Sequence, residues 1–242
     1  MSRSARHIAL PQVGRDGQAR IEASSALIVG LGGLGSAAAS YLACAGVGHL
    51  LLNDFDTVDE TNLGRQILYG PADVGVAKAE RAAARLAAMN PEVRLTVLGD
   101  RLSADDLLDA VGTADIVLDG CDNFATRFLI NEAVVRSGKT LVSGAAIRFE
   151  GQIGVFGPDY SASPCYRCLY READESLDSC AGNGVLSAVP GVIGAMMAVE
   201  GLKLMAGIET PRGVLGVYDA LAAEWRRVRI PKRPGCPVCA NG

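Results

Sequence analysis

Ala26-Leu27-Ile28-Val29-Gly30-Leu31-Gly32-Gly33-Leu34-Gly35 is the stretch that decides the fold. Four apolar residues form a buried strand that runs straight into a glycine-rich turn. From Ser36 to Ala45 the sequence reads as a helix, and Gly46 ends it. Strand, Gly30-x-Gly32-x-x-Gly35 and helix together describe a phosphate-binding turn. Glycines let the backbone turn tightly and approach an anion, and the helix N-terminus offers unpaired N–H groups and the positive end of a dipole.

Working outward, His49 to Asn53 is a second apolar strand that closes on Asp54. A helix spans about Lys78 to Met89 and stops at Asn90-Pro91. Strands follow at Val93–Leu98, Ile116–Asp119 and Thr140–Ala145. Between them come a short helix capped by Ser103 and Asp106, and a helix from Phe124 to Ser137. Strands alternating with helices predict an α/β fold, a Rossmann-like, mostly parallel sheet with flanking helices. Beyond Phe149 the rhythm changes. We expect a strand at Gly151–Phe156, a loop from Pro158 to Asn183, a buried helix from about Gly191 to Ala206, and strands at Val214–Tyr218 and Trp225–Ile230.

The chain has 242 residues, 49% of them hydrophobic, which suits one sizeable α/β domain over 1–242. A net charge of −4 without a basic stripe argues against a nucleic-acid partner. Arg226, Arg227, Arg229, Lys232 and Arg233 read as an alternating strand with a solvated face. Met1 to Gln12 lacks the apolar core of a secretory leader. The run Gly184–Val199, broken by Pro190, is short for a membrane span. The expected compartment is therefore the cytoplasm, with no membrane association and with reduced cysteines.

Asp54, at the end of the second strand, can accept hydrogen bonds from ribose hydroxyls. A nicotinamide-dependent oxidoreductase is one reading of such a site. Asn62, Arg65, Lys78 and Asp122 instead fall at the carboxyl ends of the strands, where ligands bind in this fold. Two cations and a carboxylate suit a triphosphate and its magnesium.

Cys165-Tyr-Arg-Cys168 and Cys236-Pro-Val-Cys239 are two CxxC pairs with the spacing of a tetrahedral zinc site. A closed Cys₄ site leaves no position for a catalytic water, so its role would be structural; redox pairs and disulfides are the rivals. Cys44 reads as core, and Cys121 as packing beneath the site. Cys180 lies in a polar stretch, where its thiol is either exposed and reactive or held inert by acidic neighbours that raise its pKa.

Together with Asp54-Phe55-Asp56-Thr57-Val58, Asn62-Leu63-Gly64-Arg65-Gln66, Asp122-Asn123, Glu150-Gly151-Gln152 and the two cysteine pairs, the glycine loop resembles the MoeB/ThiF family. These are adenylyltransferases related to the ubiquitin-activating enzymes. The resemblance runs from about Arg6 to Cys239. It implies a nucleotide-binding part at about 24–150 and a carrier-binding and zinc part at about 151–242. The implied reaction is ATP-dependent adenylation of the C-terminal glycine of a ubiquitin-like sulfur carrier that ends in Gly-Gly. A non-catalytic nucleotide-binding scaffold is the alternative outside enzymes. By resemblance, Gly33 with the loop glycines Gly30, Gly32 and Gly35 holds the phosphates, Asp54 the ribose, and Asn62, Arg65 and Lys78 the phosphates, with Asp56, Gln66 and Asn123 among the nucleotide-binding residues. Asp122, beside Asn123, would hold magnesium. Arg6 would cross a homodimer to the partner's ATP. Cys180 matches a cysteine used in covalent chemistry in the thiamine branch, though the molybdopterin branch has one nearby too. His7 stands where a glutamine is common. No rhodanese segment follows, so the sulfur donor is expected to be a separate protein.

Overall fold

In the computed structural model, residues 3–171 and 184–240 are described. One sheet of eight strands runs through them in the order β3-β2-β1-β4-β5-β6-β7-β8. The strands are β1 (Ser25–Val29), β2 (His49–Asn53), β3 (Arg94–Leu98), β4 (Ile116–Asp119), β5 (Thr140–Ile147), β6 (Glu150–Phe156), β7 (Val214–Asp219) and β8 (Glu224–Arg229). The pairings from β3 to β5 are parallel and those from β5 to β8 antiparallel. The order reverses where β1 lies between β2 and β4. This reversal opens a crevice at the carboxyl ends of the strands, where ligands bind in doubly wound sheets.

The central strands are apolar throughout because both faces are covered. Successive side chains alternate between two cores. Ala26, Ile28, Leu50 and Leu52 join helices α2 (Gly14–Ala23), α3 (Gly33–Ala45), α4 (Lys78–Met89) and α8 (Ala188–Met205). Leu27, Val29, Leu51 and Val117 face α5 (Ala104–Thr113), α6 (Phe124–Arg136), α7 (Tyr166–Leu169) and the cysteine tail. A short helix, α1 (Ala5–Ile8), precedes them all.

Local chemistry fixes the helix ends. The Asp106 amide donates to Ser103 Oγ at 3.2 Å, as the sequence pattern predicts. Asn123 caps α6 by accepting from the Thr126 amide at 2.9 Å. Helix α3 starts at Gly33 rather than Ser36, inside the glycine loop, because those glycines already adopt the first turn. Helix α8 starts at Ala188 rather than Gly191. Pro190 is tolerated because an N–H in the first turn has no intrahelical partner to lose. Helix α8 is long and apolar enough to cross a membrane, but Ile193, Met197 and Ala198 bury it against α3.

Two expectations are corrected. Cys44 is exposed, because it lies on the outer side of α3 beside Tyr41, which is 57% exposed. Strand β8 is exposed along both faces, not one, because it is the last strand of the sheet and no helix among the described residues covers it.

The glycine loop depends on a backbone contact. A Cβ on Gly35 would sit 1.8 Å from the Gly30 carbonyl oxygen, and Gly30 itself takes φ +86°. Gly35→Ala is expected to cost about 2–4 kcal/mol through this clash. Gly112→Ala in α5, where nothing lies within 4 Å, should be neutral or stabilising. Urea unfolding of both variants checks the contrast.

Candidate functional site

The crevice at the switch point is lined by Gly30, Gly32 and Gly33, by Asp54, Phe55 and Asp56, by Arg65, Gln66 and Lys78, and by Asp122 and Asn123. Segments far apart in sequence thus converge on one cavity. Asp54 is fixed from two sides: its Oδ2 accepts from the Leu31 amide at 2.8 Å and its Oδ1 from the Asp56 amide at 3.0 Å. Burial raises its pKa, although Lys78 and the two amides oppose the rise. Lys78 is the first residue of α4, with a buried side chain whose Nζ lies 3.2 Å from Asp56 Oδ2. Tyr69 holds this corner together by donating from its hydroxyl to the Leu31 carbonyl at 3.0 Å. Arg65 donates to the Thr61 carbonyl at 2.9 Å. Gln66 Oε1 is buried and has no hydrogen-bond partner among the described residues.

Other expected residues lie elsewhere. Gly35 is beneath the lining, against Gly30. Asn62 is outside the lining and shapes the loop: its carbonyl accepts from the Arg65 and Gln66 amides, and its Oδ1 accepts from the Asp59 amide at 3.3 Å. Arg6 is exposed on α1 and does not line the crevice of its own chain. Cys180 lies outside the described residues. Cys121, by contrast, is buried yet forms part of the crevice wall rather than packing beneath it, and burial pushes its thiol well above the ordinary range.

A buried network under the crevice had not been anticipated. Asp119, 1% exposed at the end of β4, accepts from Arg127 at 3.1 Å and from Ser143 Oγ at 2.7 Å, and its Oδ1 accepts from the Cys121 amide at 3.0 Å. Arg127 also donates to the carbonyls of Cys121 and Gly144. This one guanidinium joins β4, β5 and the loop that presents Asp122. An acidic residue closing the apolar run Ile116-Val117-Leu118 was the available signal.

A second cavity, of about 220 Å³, adjoins the first and shares Leu34, Cys121, Asp122 and Ala146 with it. Its further walls include Phe124, Arg127, Gln152, Tyr166 and Tyr170. Asp122 is exposed at the junction.

Across the sheet from α3, the thiols of Cys165, Cys168, Cys236 and Cys239 lie within 4.8 Å of one another. Sγ separations are 3.7 Å for Cys165–Cys236 and 3.5 Å for Cys168–Cys239. A tetrahedron with Zn–S bonds of about 2.3 Å has edges of about 3.8 Å, so the donors and spacing fit zinc. Burial opposes ionisation of Cys236, but hydrogen bonds with the Cys239 and Val238 backbone bring it down to about 6.

A model of the ThiF family matches residues 4–238. The sulfur carrier protein ThiS adenylyltransferase of Escherichia coli (strain K12) is 44% identical over 239 residues, covering 99% of this chain and 95% of that protein. The sulfur carrier protein adenylyltransferase of Thermus thermophilus is 42% identical, covering 100% and 91%. The adenylyltransferase and sulfurtransferase MOCS3 of Mus musculus is 45% identical, and the chain spans only 52% of it. Among solved structures, E. coli MccB with ATP superposes with a TM-score of 0.84 at 23% identity, covering 98% of this chain and 73% of that one, a likeness of fold.

Removing one partner of the buried pair should be costly. Arg127→Met strands the Asp119 carboxylate and is expected to destabilise by about 3–5 kcal/mol, while adding Asp119→Leu should recover part of the loss. Denaturant titration of the single and double variants measures this. For the thiol cluster, about one zinc per chain is expected by elemental analysis, with a lower Tm after chelation; stoichiometry near zero in active protein contradicts the site.

Proposed function

Because the chain belongs to the ThiF family, we propose that it uses ATP to adenylate the C-terminal glycine of a ubiquitin-like sulfur carrier, activating it for sulfur transfer. The observation that carries this reading is the meeting of two cavities at Asp122. One has the glycine loop and cations for a triphosphate. The other, of about 220 Å³ and walled by Phe124, Tyr166 and Tyr170, admits an extended, side-chain-free Gly-Gly tail. An acyl adenylate needs these two substrates brought end to end.

In the proposed reaction, a terminal carboxylate oxygen attacks the α-phosphorus, the bond to the β-phosphate bridging oxygen breaks, and pyrophosphate leaves with that electron pair. The tail is left as a mixed anhydride with AMP. Its carbonyl then has a good leaving group, which a free carboxylate lacks. The chain contributes mainly by positioning and charge neutralisation. Backbone amides of Gly32 and Gly33 and the N-terminus of α3 face the phosphates. Asp54 takes the ribose hydroxyls. Arg65 and Lys78 neutralise phosphate oxygens, with Lys78 exchanging part of its pairing with Asp56 for them. The unpartnered Gln66 Oε1 offers an acceptor at the same wall.

Asp122 would hold magnesium: one exposed carboxylate facing substrate phosphates is the oxygen-ligand set that this ion takes. When bound, the ion supplies further neutralisation at the phosphoryl oxygens. The zinc cluster would be structural. The enzyme is proposed to work in the cytoplasm as a homodimer in which Arg6 serves the nucleotide of the second copy, and to receive sulfur from a separate donor. Residues 151–242 would provide the carrier-binding and zinc part of the single domain.

ATP–pyrophosphate exchange is expected only in the presence of a carrier ending in Gly-Gly. Asp122→Ala should lower it by about 100-fold or more with unchanged thermal unfolding. Exchange at near-normal rate in that variant removes Asp122 from the mechanism. Nucleotide binding with no exchange from any Gly-Gly carrier overturns the reading.

A further inference from the structure

The aromatic wall of the second cavity hangs on the cysteine cluster. Tyr166 lies inside the turn between Cys165 and Cys168, and Tyr170 follows just beyond it. The turn is closed by the Cys168 amide donating to the Cys165 carbonyl at 2.9 Å and the Tyr170 amide to Tyr166 at 3.1 Å. Outside it, the Tyr166 amide donates to the buried Asn131 Oδ1 at 2.8 Å. The rings of Tyr166 and Tyr170 lie 5.2 Å apart, and Tyr170 meets Phe124 edge-on at 5.2 Å. The Tyr170 hydroxyl donates to Gln152 Oε1 at 2.6 Å, tying the wall to β6. Neither tyrosine lines the nucleotide crevice.

The other half of the cluster comes from the tail. Lys232 Nζ donates to the Cys239 carbonyl at 2.9 Å, and the Arg233 amide to Cys168 Sγ at 3.4 Å. An ion on the four sulfurs would therefore clamp both ends of the Tyr166 turn to the tail. These links reach the second cavity and bypass the glycine loop, Asp54 and Lys78.

We propose that Tyr166 and Tyr170 are positioning residues for the carrier's C-terminal tail, and that the filled Cys₄ site acts through them, setting the tail chamber while leaving the nucleotide half unaffected. This rests on the adenylation reading. It gives the metal a function in substrate recognition beyond fold stability. The mutually tilted rings form a contoured aromatic wall against which an extended tail lies, and shape rather than hydrogen bonding does the selecting.

Calorimetry on the full chain separates the two halves. The probes are a non-hydrolysable ATP analogue, the Gly-Gly carrier that supports exchange with the unaltered protein, and that carrier shortened by its last two residues. The zinc-loaded protein should bind the complete carrier about ten-fold more tightly than the shortened one. In Tyr170→Ala this gap should shrink to about three-fold or less, with analogue affinity within about three-fold of the parent. Tyr170→Phe, which keeps the ring, should retain most of the gap. Zinc-stripped protein should behave as Tyr170→Ala does. An undiminished gap in Tyr170→Ala, or analogue and carrier affinities falling together, overturns the proposal. If no carrier supports exchange, the adenylation reading fails first and the proposal with it; exchange with an undiminished gap refutes the proposal alone.

Discussion

The carbonyl oxygen of Gly30 occupies the place where a β-carbon on Gly35 would lie. From that close approach the rest of the crevice follows. It lets α3 begin inside the loop, with its free amides aimed at the cavity. It draws in the opposing turn as well, since a Cβ on Gly30 would come within 3.0 Å of the Gly120 backbone. Gly120 leads into Cys121 and Asp122, so the same backbone contact that sets the phosphate loop also places the carboxylate at the junction of the two cavities. Side-chain chemistry is added to a geometry that main chain has already fixed.

The sequence made the central sheet legible because buried parallel strands are short, apolar and punctuated by glycine or an acidic residue. Asp54, Lys78 and Asp122 could be placed because each sits at the end of such a strand or the start of a helix. Arg127 and Ser143 were not legible in the same way. Their roles depend on three separated segments meeting under the crevice, and neither has a local pattern distinguishing it from a surface residue. Cys44 misled for the related reason that an Ala-rich helix has no polar stripe marking its outer side. Pro190 suggested a break, whereas a first-turn proline continues the helix. The two cysteine pairs were plain from spacing, but the aromatic wall attached to them was not. CxxC spacing reveals where sulfurs can meet and nothing about what the intervening tyrosine touches.

Burial and charge are handled differently on the two sides of the sheet. Around Asp119 a complete set of partners surrounds a carboxylate cut off from water, which is the condition under which a buried charge is tolerable. In the crevice the charges are left incompletely matched. Lys78 is buried against an exposed Asp56, and Gln66 retains an orphaned acceptor. A site that must bind and release an anion benefits from such residual demand, while the network below, fully paired, keeps the loop from relaxing to satisfy it.

The final strand, β8, has a longer-range consequence. It ends the sheet with a row of backbone donors and acceptors that no strand among the described residues pairs, and Trp225 and Val228 on it are 44% and 50% exposed. Such an edge is a template for runaway strand addition between molecules. Arg226, Arg227 and Arg229 place positive charge along it, so two like edges repel before their backbones can register. That guard is electrostatic and therefore weakens as ionic strength rises. The margin of this acidic chain thus carries a local charge opposite in sign to its net −4.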